Sequence, residues 1–429
     1  MTAIIVTVFL AGYLLIATES VSKVNKAAFA LLMCVACWVL YSLGGYAGDG
    51  LGEVLERNLG EAGTTLFFLM GAMTIVEIVD QHGGFNFVRD TLQTTSKRTL
   101  LWRMALMTFF LSAVLDNLTT TIVMIMILRK LVKDHNDRII YASMVVIAAN
   151  AGGAFSPIGD VTTIMLWNGK MLTAGGVIKE LIVPSIVSCA VPAFILQYQL
   201  NGTLAMPAAP ADNASADTAI SKNRRRSVFL LGVGGLCCVP VFHSLTHLPP
   251  FIGILLVLAV LWVVTDTFYR HNEKSSKRVT AMLTRIDMGT ILFFLGILMA
   301  VSVLAEIGVL SALGQWLDDT IGNHYLVTGA IGVLSSIVDN VPLVAGSMKM
   351  YPIMPSGDMA VDGIFWQLLA YCAGVGGSML IIGSAAGVVA MGLEKITFGW
   401  YMKKITWIAF AGYIAGILTY WLERMLIFG

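Results

Sequence analysis

Ser112-Ala-Val-Leu-Asp-Asn-Leu118 and Ser335-Ser-Ile-Val-Asp-Asn-Val341 are one phrase written twice, 223 residues apart. Each sets a carboxylate and an amide, Asp116-Asn117 and Asp339-Asn340, in the middle of an apolar run. A charge at the centre of a bilayer costs roughly 2.5–3.5 kcal/mol on insertion scales, so it persists mainly where something uses it. Two such sites at one offset predict an internally repeated membrane protein whose pseudo-symmetry frames an ion site.

The composition agrees. Of 429 residues, 57% are hydrophobic and only 12% charged, with a mean hydropathy of +0.81. A soluble domain carries about twice that charge. Apolar runs near 20 residues recur from end to end, long enough to cross a hydrocarbon core of about 30 Å. The expected class is an all-α polytopic membrane protein with the lipid bilayer as its partner, because the alternation of a transmembrane barrel is lacking. No basic leader precedes the first apolar run, so residues 2–18 read as a retained span. The six cysteines fall almost entirely within apolar runs and read as small packing residues. No histidine–cysteine cluster suggests zinc or copper, and no Walker motif suggests a nucleotide. No cofactor and no nucleic-acid partner is expected.

Crossings are predicted at about 2–18, 27–45, 62–80, 138–168, 175–198, 227–243, 250–268, 287–308, 363–393 and 402–425. Two further runs, about 104–128 and 325–348, hold the Asp-Asn pairs and are too short to cross twice. The distribution of basic residues decides how they run. With both as re-entrant hairpins and the N-terminus outside, 22 of the 27 Lys and Arg fall on the inner face. With both as single crossings, only 11 do. The hairpin reading therefore predicts two inverted repeats, each of five crossings plus a re-entrant hairpin, with broken helices. The first repeat is 1–200, the second 227–429, and a cytoplasmic linker rich in Ala, Pro, Asn and Ser spans 201–226. Both termini then lie on the outer side.

The crossings after the hairpins carry the second signal. Asn150-Ala-Gly-Gly-Ala-Phe-Ser156-Pro-Ile-Gly-Asp160-Val-Thr162-Thr163 matches Gly374-Val-Gly-Gly-Ser378-Met-Leu-Ile-Ile-Gly-Ser384, allowing one inserted residue. Paired glycines and a proline weaken a membrane helix and permit a break where carbonyls and half-helix ends can coordinate an ion. Small residues also favour tight packing, but Asp160 and Ser156 in the same break favour an ion site. The candidate cation- and proton-binding residues are Asp116, Asn117, Ser156, Asp160, Asp339, Asn340 and Ser384. Thr119, Thr120, Asn150, Ser378 and Glu77 are possible accessories. Oxygen ligands of this kind suit a hard cation.

Protonation and cation binding compete for the same carboxylate oxygens, so a carrier that reorients with either one bound exchanges them. Because Asp160 faces Ser384 across the repeat, Asp116 and Asp160 are favoured as one cluster, with Na+ or Li+ held by Asp116, Asn117, Ser156 and Asp160. Asp339 is then a modulator or second site. His82 reads as a solvated interfacial histidine, and Asn25-Lys26 as a cytoplasmic cap and anchor.

Taken together, Val114-Leu-Asp-Asn-Leu-Thr-Thr120, the Asn150–Thr162 segment, Val338-Asp-Asn-Val-Pro342 and Gly71-Ala-Met-Thr-Ile-Val-Glu77 resemble NhaD-type sodium/proton antiporters. The likeness runs from about residue 10 to the C-terminus. It implies membership of the ion transporter superfamily, with arsenite, citrate and dicarboxylate carriers. It also implies a homodimer, an elevator-like movement, and export of Na+ or Li+ against H+ across a bacterial inner membrane in pH and salt homeostasis. Dicarboxylate relatives carry Ser-Asn-Thr at comparable tips, so the aspartates here oppose an anionic substrate. An oxyanion or dicarboxylate carrier of the superfamily is the alternative. An intramembrane aspartyl protease is a remote one, since Ile158-Gly-Asp160 matches only part of that signature.

Overall fold

Helix ends are written into the sequence as side-chain caps. The structure, a computed structural model, describes residues 1–17, 22, 24–85, 88, 91–200, 202–204, 222–269, 278–337 and 339–428. Most of the expected linker, together with Glu19, Lys23, Arg89, Arg270, Lys274, Lys277 and Val338, lies outside them. The first half contains α1 (Thr2–Ala17), α2 (Lys26–Leu43), α3 (Leu51–Gln81), α4 (Lys97–Leu115), α5 (Asn117–Leu131), α6 (His135–Ala154), α7 (Val161–Asn168) and α8 (Ala174–Leu196). The second contains α9 (Lys222–Thr246), α10 (Pro250–Phe268), α11 (Val279–Met282), α12 (Met288–Glu306), α13 (Val309–Ile321), α14 (His324–Ser335) and α15 (Asn340–Met350). It ends with α16 (Ile364–Gly376), α17 (Ala385–Glu394), α18 (Phe398–Lys404) and α19 (Thr406–Glu423).

Asn25, Ser96, Asp134, Thr173 and Asp287 accept hydrogen bonds from backbone N–H groups in the first turns of α2, α4, α6, α8 and α12. Such caps satisfy donors that a helix start leaves unpaired. Among the described residues, seven helices are long and apolar enough to cross a membrane: α2, α3, α4, α8, α9, α10 and α12. The pair α18 and α19, bent by 53°, makes an eighth if counted as one span. Large apolar side chains such as Leu14, Leu32 and Val263 stand exposed on the outside, as a lipid-facing surface requires.

Several expected boundaries shift. The α3 helix has 31 residues, not the 19 predicted, because Leu51–Glu61 continues the helix beyond the apolar stretch. The 138–168 and 363–393 runs are each divided, into α6 and α7 and into α16 and α17, with turns over 155–160 and 377–384. The two Asp-Asn runs are divided as well, at Asp116 between α4 and α5 and between α14 and α15, where Ser336 and Ile337 turn after α14.

Packing in the first half is echoed in the second. The α1 helix lies on α2 as α9 lies on α10, and α4 lies on α6 as α14 lies on α16. Pairings across the halves are reciprocal: α2 with α12 and α10 with α3, α5 with α17 and α15 with α7. Three pairs join equivalents: α3 with α12, α6 with α16 and α8 with α19. Glycine permits the closest approaches. A Cβ on Gly152 would run into the Phe109 carbonyl of α4, and one on Gly376 into the Gly332 carbonyl of α14.

Candidate functional site

Four short helices begin inside the bundle, and each is capped by a residue singled out in the sequence. Asp116 caps α5, Asp160 caps α7, Asp339 caps α15 and Ser384 caps α17. The breaks that expose these starts are held by matched contacts. Ser112 Oγ donates to the Ala149 carbonyl and Ser335 Oγ to the Ala373 carbonyl. Gly153 and Gly377 approach the carbonyls of Gly159 and Gly383, where a side chain would crowd the turn.

Asp160 is the hub. It is 1% exposed. Its Oδ2 accepts from Asn117 Nδ2 at 2.8 Å. Asn340 Nδ2 approaches both of its oxygens at 3.4 Å. Its Oδ1 also accepts from Thr162 N and Thr162 Oγ1, both at 3.0 Å, and its carbonyl accepts from Thr163 Oγ1 at 2.8 Å. Asn150 extends the network: its Oδ1 accepts from Asn117 Nδ2 at 3.0 Å, and its Nδ2 donates to Ser378 Oγ and Ser384 Oγ, each at 2.9 Å. Residues from both halves of the chain thus meet around one buried carboxylate.

Other candidates lie apart from this network. Asp116 uses its oxygens on Thr119, accepting from the backbone N and from Oγ1 at 2.8 Å each. Its backbone has φ 80°, an unusual conformation for a residue with a side chain. Ser156 Oγ donates to the Ala113 carbonyl and ties the break to the end of α4. The expected grouping of Asp116 and Ser156 directly with Asp160 is therefore not what the hydrogen bonds show, because each is engaged by its own break. Thr120 is buried without a hydrogen-bond partner at its hydroxyl. Glu77 accepts from Gln81 and pairs with Arg285 at 3.5 Å, away from the hub.

Three readings from the sequence are corrected. His82 is buried rather than solvated: its Nδ1 contacts the Ile78 carbonyl and its ring lies beside Tyr269. Asn25 is a cap, but Lys26 is more than an anchor, since its Nζ lies 3.1 Å from Asp339 Oδ2. Asn150, expected as an accessory, belongs at the centre, where Thr162, not among the expected site residues, joins it. Asn150 had a legible signal, an amide two residues before a glycine pair in an apolar run. Lys26 had none, being 313 positions from its partner.

Two cavities open elsewhere in the bundle. One of about 460 Å³ lies between α3, α7, α12 and α15, lined by Thr65, Asn168, Ser302 and Met348, with Glu61 and Lys349. The other, about 160 Å³, is lined by Asn25, Lys26, Leu118, Asp287 and Val388. Along α12 the first cavity begins at Leu298 and the second ends at Thr290, a rise of roughly 12 Å.

A polytopic helical bundle with broken helices around a buried polar hub is the architecture of a secondary transporter rather than an enzyme. The chain belongs to the citrate transporter (CitMHS) family, whose model matches residues 13–368. It is 47% identical to sodium/proton antiporter 1 of Arabidopsis thaliana over 95% of this chain and 70% of that protein. It is 30% identical to the Na(+)/H(+) antiporter NhaD of Vibrio cholerae over 96% of this chain and 90% of that one. In fold it is similar to the YdaH transporter of Alcanivorax borkumensis, with a TM-score of 0.62 at 13% identity over 94% and 98% of the two chains. A further likeness is to MtrF of Neisseria gonorrhoeae, with a TM-score of 0.51 at 12% identity over 93% and 95%.

Proposed function

We propose that this transporter is a sodium/proton antiporter that exports Na+, and Li+ in its place, in exchange for H+. Cation and proton compete for the Asp160 carboxylate. One observation carries this reading: among the described residues, the hydrogen-bond donors to this buried carboxylate are amides, a hydroxyl and a backbone N–H, with no basic side chain. A buried carboxylate without a fixed counter-charge is left to a mobile cation or a proton.

Binding Na+ asks for lone pairs where the amides now offer N–H groups. Asn117 and Asn340 meet that need by turning their amides half a revolution, so that carbonyl oxygens join Asp160. Ser378, Ser384 and Asn150 then form the outer wall. A citrate-like anion is disfavoured by the same carboxylate, although the family description names citrate.

The reciprocal packing of the two halves supports inverted repeats, 1–200 and 227–429, with the 104–128 and 325–348 segments as re-entrant hairpins from opposite faces. The larger cavity gives access from the side of Glu61 and Lys349, which the charge pattern makes the outer one. An elevator-like shift of the broken helices, a homodimer, and an inner-membrane location with both termini outside complete the reading. In everted bacterial vesicles holding a respiratory pH gradient, added Na+ or Li+ should dissipate the gradient when this protein is present. No dissipation by either ion at neutral to alkaline pH would overturn the proposal.

A further inference from the structure

We propose that Lys26 is a built-in counter-ion that holds Asp339 out of the transport site, filling at the second Asp-Asn tip the place a transported cation takes at Asp160. The inference rests on the antiporter reading above.

Lys26 is the first residue of α2, and its Nζ lies 3.1 Å from Asp339 Oδ2. Both side chains are largely withdrawn from water, at 23% and 16% exposure. The ammonium also sits 4.2 Å from the centre of the Phe293 ring on α12, so one face of the charge meets an aromatic wall. Exposed ion pairs contribute little, but a desolvated pair is different, because removing one partner leaves the other uncompensated.

Position links this pair to the hub. Asp339 and Asn340 are adjacent at the start of α15. The first is held by Lys26, and the second reaches Asp160. A cation at Asp160 and the ammonium at Asp339 are therefore linked through two consecutive residues at the start of α15.

Among the described residues, the first half lacks this device. The counterpart of α2 is α10, which begins Pro249-Pro250-Phe251 where α2 begins Asn25-Lys26-Ala27. Asp116 takes its two close donors from Thr119 instead. Among the described residues, one tip carries its own cation and the other is held by Thr119. This asymmetry leaves Asp160, whose hydrogen-bond donors among the described residues include no basic side chain, as the acid open to Na+ and H+.

The test is the Na+ dependence of H+ flux in proteoliposomes for wild type, Lys26→Arg, Lys26→Gln, Asp339→Asn and the double variant Lys26→Gln/Asp339→Asn. Freeing Asp339 by Lys26→Gln should lower half-saturating Na+ by about three-fold or more, because a second carboxylate then attracts the cation. Asp339→Asn should raise it by about three-fold or more, because the released ammonium then repels Na+. Lys26→Arg keeps the pair and should stay near wild type, and the double variant should return toward it. Wild-type values in both single variants, or a double variant no closer to wild type than Asp339→Asn, would overturn the inference. Should Lys26→Gln not fold, the comparison of Asp339→Asn with the double variant decides alone. Absence of Na+-dependent flux in wild type would instead overturn the antiporter reading, and this inference with it.

Discussion

Asp160 draws its donors from three places: Asn117 on α5, Asn340 on α15 and Thr162 on its own helix. Hydrogen bonds to a charged group contribute about 1.5–3 kcal/mol each, and roughly 1.4 kcal/mol is ten-fold in an equilibrium. Asn117→Ala, which removes the amide whose carbonyl oxygen turns onto a bound Na+ beside Asp160, should by a contact of that size raise half-saturating Na+ about ten-fold or more. Ser156→Ala should shift it by less than about two-fold, since that hydroxyl serves the Ala113 carbonyl rather than the carboxylate. Measuring H+ flux against Na+ concentration in both variants separates hub from frame. Equal effects would mean the hydrogen-bond network misidentifies the site. At this scale the sequence made the acids and amides legible, because each is a polar residue with no reason to be in an apolar run. It did not reveal which ones meet. Asp116 and Asp160 look equivalent as letters, yet Asp116 is turned by its positive φ onto Thr119.

Four helices starting inside the bundle turn their N-terminal ends toward its interior, where unpaired N–H groups and the peptide dipoles favour negative charge. Three of the four caps, at Asp116, Asp160 and Asp339, are carboxylates, so the negative charge is built in rather than supplied by a substrate. That is the physical reason a family described by citrate can contain a member suited to a cation. The breaks depend on glycine. Gly152→Ala and Gly376→Ala should each lower the thermal stability of the purified protein, by about 1–3 kcal/mol, because the added methyl meets a neighbouring helix's carbonyl. Gly392→Ala, with nothing within 4 Å, should leave stability unchanged or raise it. Unfolding curves in detergent read this directly, and an unaffected Gly152→Ala would show that α4 and α6 can separate. The breaks were legible as Gly-Gly and Ser-Pro pairs inside runs too long for one simple span. The extension of α3 was not, because its first turns are polar and resemble a loop.

Across the whole molecule, the reciprocal packing of α5 with α17 and α15 with α7 brings both halves to one centre. Charge counting suggested that symmetry, and the paired phrase around Asp116 and Asp339 located it. Contacts between distant segments, such as Lys26 with Asp339 or Asn150 with Ser378, could not be read in advance, because no local pattern encodes a neighbour more than 200 positions away. Asp160 is the group proposed to exchange cation for proton. The most direct test is Na+-driven H+ flux in proteoliposomes holding purified wild type or Asp160→Asn, with folding checked by monodisperse elution. Wild type should give flux and Asp160→Asn none, as the proposal requires. Wild-type flux from folded Asp160→Asn would contradict it.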